Sequence, residues 1–225
     1  LLSATMPFTA KAQDKVEASV GADFVSNYIW RGTDCGGVSI QPSMGVSYKG
    51  LSLTAWGSVG IDKEDAREID LTLGYNTGGF SVSVTDYWFS YHKEDGGYTG
   101  DYFKYGAHST VHIFEATLGY DFGPLALSWN TYFAGDDYTK ENGDRAYSTY
   151  VGISAPFKLG GLDWSAEVGL TPWEGAYANR FNVTNLTLKA EKEIKFTNSF
   201  SLPTFAQVTF NPHTQGAYFV FGVSF

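Results

Sequence analysis

The chain has 225 residues, 17% of them aromatic, with 26 Gly and a formal charge of −9. That acidic balance excludes nucleic acid as an expected partner, since phosphate backbones bind basic patches. The single cysteine, Cys35, has no internal disulfide partner and cannot build a zinc site alone.

No apolar run reaches the roughly 20 residues that a membrane helix needs, so any crossing of a membrane falls to strands. The opening residues carry an apolar stretch and then Ala10-Lys11-Ala12, an A-x-A-like cleavage site. Residues 1–12 read as a signal-peptide remnant and 13–225 as one β-barrel.

Period-two alternation begins at Val16. Strands turn successive side chains to opposite faces, so alternation separates an apolar face from a polar one. The first predicted strand covers 16–31, with Val16, Ala18, Val20, Ala22, Phe24, Tyr28 and Trp30 on one face. Glu17, Ser19, Gly21, Asp23 and Arg31 lie on the other, where Val25 and Ile29 are exceptions. Residues 33–37 read as a loop, and a strand at 38–48 carries Pro42, which removes a ladder donor and predicts a bulge. Lys49-Gly50 turns the chain into a strand over 51–61, the charged run 62–68 is a loop, and strands at 69–76 and 80–88 flank a turn at 77–79. Asp86 falls on the apolar parity of its strand.

Residues 91–110, rich in Tyr, Gly and Asp, form the longest loop, open to reading as a glycan-stacking surface, a lid or a shield. Strands follow at 112–122, 125–133, 147–155, 162–171, 181–194, 200–210 and 217–225. The phase of the strand at 181–194 slips by one residue near Asn185, which predicts a bulge. Phe219, Phe221, Val223 and Phe225 share one face of the final strand and read as an insertion signal.

Twelve strands result, joined alternately by short and long connections. Outer-membrane barrels have an even strand number, short turns on one rim and long loops on the other. The predicted fold is therefore an all-β, up-and-down transmembrane antiparallel barrel of about 12 strands in the bacterial outer membrane, both termini periplasmic. Aromatics near strand ends, such as Tyr48, Tyr75, Trp88 and Tyr120, fit interfacial girdles. A soluble sandwich or lipocalin-like barrel would instead turn its apolar faces inward.

The segments FVSNYIWRG, SIQPSMGVSYKGLSLTAWGS, VTDYWFSY and TPWEGAY, with Asn211-Pro212 before the final strand, resemble the Gcw-chp family of outer-membrane barrels. That family occurs in Gram-negative groups including Bacteroidetes. The resemblance runs over most of 16–225 and implies the barrel and its location. It implies no catalytic residue, and none is carried over.

Chemistry is sought first on the inward face. Glu17, Asp23, Asp70, Glu115, Asp121, Asp163 and Glu167 carry inward parity against Arg31 and Lys189. A wet lumen with that excess of carboxylates favours cations; a packed lumen would pair the charges instead. Arg31, Asp86 and Glu174 form a candidate rim network, because Arg binds carboxylates bidentately. Asp86, Ser90 and His112 share lipid-facing parity on neighbouring strands and are the candidates for a lipid-facing hydrolase, the lesser alternative to a chain without catalytic residues.

The expected function is a small porin-like channel with a cation-leaning lumen. The alternative is a non-conducting accessory barrel that binds an envelope protein. Expected partners are membrane lipid, lipopolysaccharide and the outer-membrane insertion machinery; no cofactor or metal is expected.

Overall fold

The computed structural model describes residues 15–93, 97–197 and 200–225. The expected signal-peptide remnant lies outside the described residues. Among those described there is no helix, and fourteen strands form. In chain order they are β1 (Glu17–Val25), β2 (Tyr28–Trp30), β3 (Thr33–Gly36), β4 (Ser39–Tyr48), β5 (Leu51–Gly60), β6 (Arg67–Thr77) and β7 (Phe80–Ser90). β8 (Ile113–Asp121), β9 (Ala126–Gly135), β10 (Thr149–Leu159), β11 (Leu162–Thr171), β12 (Asn182–Lys195), β13 (Ser201–Asn211) and β14 (Gly216–Ser224) complete the set.

Twelve of them, β1 and β4–β14, close into an antiparallel barrel in which sequence neighbours are paired neighbours. The cylinder closes where β1 pairs with β14. β2 and β3 form a separate hairpin.

Short and long connections sort onto opposite rims. Lys49-Gly50, Gly78-Gly79 and Gly160-Gly161 are two-residue hairpin loops with φ between 49° and 88° at every position. Such left-handed pairs match the twist of the strands they join. On the other rim lie the connections 26–38, 61–66, 91–112, 136–148, 172–181 and 212–215.

The apolar residues face outward. Val20, Met44, Leu53, Leu73, Leu118 and Phe219 are each between 51% and 81% exposed. Polar inward residues are the buried ones, including Gln41, Glu115, Thr171 and Thr209 at 1% or less. A water-soluble barrel has the reverse arrangement.

Two local differences from the sequence reading stand out. The first predicted strand is two elements: β1 leaves the wall at Val25, and residues 28–36 double back as the β2–β3 hairpin. Val25 and Ile29 are apolar on the polar parity because they pack with Val220 inside the barrel. The expected bulge at Pro42 is absent: Ile40↔Val59 and Ser43↔Trp56 keep one register, so the missing N–H is absorbed without an inserted residue. The slip near Asn185 is real, since Gly169 pairs with Asn185 and Leu170 with Val183, leaving Thr184 as the extra residue.

Candidate functional site: a clasp across the lumen

The β2–β3 hairpin turns at Arg31-Gly32, with φ of 50° and 79°, the two left-handed positions of a tight hairpin. Gly32 is required for a second reason. A Cβ there would lie 1.9 Å from the Thr184 carbonyl oxygen, so the tip sits directly against the backbone of β12. Asn211 on β13 donates from Nδ2 to the Gly32 carbonyl at 3.0 Å. At its exit the hairpin is held by the Gly37 N–H, which donates to Asp65 Oδ1 at 3.2 Å.

From this seat Arg31 reaches across the lumen to β8. Its Nη1 donates to Glu115 Oε2 at 2.5 Å and its Nη2 to Glu115 Oε1 at 2.9 Å. The two side chains are 9% and 1% exposed. Nη1 also donates to the Tyr177 hydroxyl at 2.5 Å, and the guanidinium lies over the rings of Trp30 and Tyr150 at 4.3 and 4.8 Å. Tyr87 donates to Glu115 Oε1 at 2.9 Å. Burial opposes the charge of Arg31, and the facing Glu115 carboxylate outweighs that, holding the guanidinium well above its usual value. Burial pushes the Tyr177 hydroxyl, on the 172–181 connection, up to about 12. It stays protonated and donates in turn to Tyr132.

A bulge aims Glu115. Phe114 pairs with Ala134 and Glu115 with Tyr132, so Phe133 is the extra residue. The slip sets Glu115 beside Tyr132 on the inner face while Phe133 stays 45% exposed outside. Around the clasp, Tyr87, Tyr132, Tyr150 and Tyr177 form one buried cluster against Trp30, Phe89 and Ile113. The long-loop half of the lumen is therefore lined by closely packed, buried side chains.

The other inward charges are arranged differently. Glu167, half-buried, accepts from the Tyr150 hydroxyl at 2.5 Å and from Asn185 Nδ2 at 3.0 Å. Asp70 lies in register between Trp56 and Tyr87, close to the clasp. Asp23 is half-buried opposite Gln41. Toward the short turns, Glu17 is exposed. Asp121 caps its turn by accepting from the Gly123 N–H at 2.7 Å. Asp163 pairs with exposed Lys158 at 2.7 Å, and Lys189 with Glu191 at 2.5 Å.

The expected rim network of Arg31, Asp86 and Glu174 does not form. Arg31 is inside with Glu115, because the hairpin carries it there. Asp86 is outside, 2.7 Å from His112 Nδ1. The Glu174 carboxylate faces the Tyr138 hydroxyl and pushes it up from its ordinary value. Of the lipid-facing hydrolase candidates, Asp86 and His112 meet, but the Ser90 hydroxyl donates to the Thr99 carbonyl at 2.6 Å.

Sequence reasoning missed the four-tyrosine cluster and the Arg31–Glu115 pairing. The available signal was the pair of misplaced apolar residues, Val25 and Ile29, ahead of an Arg-Gly turn.

No protein-family model matches the chain, and no curated protein matches it. Among solved structures, the chain is similar to BamA from Haemophilus ducreyi lacking POTRA domains 1–3, at 11% identity, with a TM-score of 0.41, over 87% of this chain and 41% of that one. It is similar to CdiB from Acinetobacter baumannii at 13% identity, with a TM-score of 0.42, over 94% of this chain and 60% of that one. A third similarity is to the beta domain of the Bordetella autotransporter BrkA, at 14% identity and a TM-score of 0.30, over 92% and 97% of the two chains. The chain thus spans about two fifths and three fifths of the first two.

Proposed function

We propose that the protein is an outer-membrane barrel that stands closed at rest, with passage for small solutes only when the Arg31 hairpin leaves the lumen. The outward apolar belt, the even strand number and the sorting of turns support the membrane placement. In that placement the short turns and both termini are periplasmic, and the belt contacts lipid and lipopolysaccharide. The outward face of β14, with Phe219, Phe221, Val223 and Phe225, serves insertion.

The observation that carries the closed state is the bidentate Arg31–Glu115 bond across the barrel. Breaking a buried pair by removing one partner costs about 3–5 kcal/mol. Release of the hairpin has to disrupt this pair together with the Tyr87, Tyr132, Tyr150 and Tyr177 packing around it. The acidic, small-residue inner wall near the short turns supports a cation-leaning path once the plug is released.

A non-conducting accessory barrel is the second reading, favoured by the same packing. Planar-bilayer recording separates the two. Wild-type protein is expected to be silent, and Arg31→Ala to give cation-selective openings. Steady conductance by the wild type overturns the closed barrel. If Arg31→Ala and Arg31→Ala/Glu115→Ala, both folded, stay silent, the accessory reading stands instead.

A further inference from the structure

Asp86 on β7 lies between Val84 and Trp88 on the lipid-facing side, where a bare carboxylate is expensive. Its partner His112 is 0% exposed although it too faces outward. The cover comes from residues 97–110, which fold back over the outside of the wall. Tyr102 sits edge-on to the His112 ring at 5.3 Å and Tyr105 tilts against it at 4.3 Å. Tyr102 also meets Trp88 at 5.3 Å. His112 Nε2 lies 2.7 Å from the Tyr102 carbonyl oxygen. A carbonyl only accepts, so Nε2 donates to it, and Nδ1 meets Asp86 Oδ1 at 2.7 Å. The dyad is a latch that holds this segment onto the wall. It is no free catalytic pair, because both ring nitrogens are engaged.

This apron exposes aromatic side chains among polar ones such as Asp101, Lys104 and His108. Phe103 is 90% exposed, Tyr105 49% and Tyr98 42%. An aromatic trail runs from Phe133 through Phe114 and Tyr105 to His112, Tyr102 and Phe103, with neighbouring rings 4.3–6.5 Å apart. It continues the outward face of β8 and β9 without a break. Aromatic side chains with polar tips favour the boundary between headgroups and acyl chains. Lys104, beside Phe103, is exposed and offers a charge to headgroup phosphate.

We propose that residues 97–110 form an interfacial foot, seated in the lipid headgroup layer and fastened to the barrel by the Asp86–His112 latch. The proposal rests on the membrane placement above, and its occupant is the lipid surface.

The test places a polarity-sensitive fluorophore at Phe103→Cys in a Cys35→Ser background, in phosphatidylcholine vesicles. Nitroxide lipids quench from the headgroup or from mid-chain. Val84→Cys in the belt and Glu64→Cys in a long loop serve as references. Blue-shifted emission at 103, quenched more by headgroup than by mid-chain nitroxide and weakened by Asp86→Asn, supports the foot. Emission at 103 matching that at 64 while 84 is quenched overturns it and leaves the membrane barrel standing. Absence of quenching at 84 overturns both.

Discussion

The two halves of the barrel interior solve the same problem in opposite ways. Near the long loops the wall turns Tyr, Glu, Asn and Gln inward, and a hairpin fills what they leave. Near the short turns, Ser19, Gly21, Ser43, Gly45, Ser47 and Ser52 face in and remain half-buried, not sealed. One half is a protein core turned outside in, dense and hydrogen-bonded. The other is a small-residue cup with room for water. A lumen of this width can therefore be closed over part of its height, and closure follows from side-chain size and from one inserted hairpin.

The two halves therefore respond differently to perturbation. Cys35, in β3, gives the largest contrast. Burial, aided by the nearby Glu68 carboxylate, pushes its thiol up to about 12. Alkylation depends on the thiolate, so the wild-type rate at pH 8 is expected to be at least about tenfold below that of a Ser47→Cys variant, and Arg31→Ala should recover most of the difference. Equal rates at the two positions would show that the hairpin does not seal.

Next comes Glu115→Ala, which leaves the Arg31 charge buried without its partner. A loss of about 3–5 kcal/mol is expected in urea unfolding of the detergent-solubilised barrel. A loss below 1 kcal/mol would place water beside the guanidinium.

The smallest effect comes from single methyl groups. A Cβ at Gly169 would meet the Tyr150 hydroxyl at 1.9 Å. Gly169→Ala is therefore expected to cost about 1–3 kcal/mol through overpacking. Ser47→Ala in the cup should stay within about 0.5 kcal/mol. Similar values for both would erase the distinction between the halves.

Most of the wall was readable in the sequence, because a side-chain period of two survives any detail of packing. The bulge near Asn185 showed as a phase slip for the same reason. The plug was harder to read. Residues 28–31 continue the parity of the strand before them, and residues 33–37 read as a loop, so nothing local shows a hairpin that leaves the wall. Only Val25 and Ile29, apolar on the wet parity, marked the departure. The pairing of Arg31 with Glu115 spans 84 residues and depends on a bulge at Phe133 that leaves no mark in the alternation. Asp86 was visible as an anomaly. Its explanation needed a loop folded over the outside, which periodicity does not describe.

The seam between β1 and β14 has a consequence in time. Every other wall pairing joins strands adjacent in order around the meander, whereas Asp23↔Ser224 joins residues about two hundred positions apart. Contacts so distant along the chain form slowly, because the segments between must be ordered first. The β1–β14 ladder has three register pairs, extended by backbone bonds of Ala22 with Phe225 and of Ser26 with Phe221, against nine pairs between β1 and β4. The β2–β3 hairpin follows β1 directly and ends up enclosed by the finished ring. The simplest route is capture: the hairpin settles against β12 and β13 while the sheet is still an open sheet, and closure then traps it. Slowing that last zipping step should leave capture intact, whereas closure that outruns capture should yield rings with the hairpin left outside.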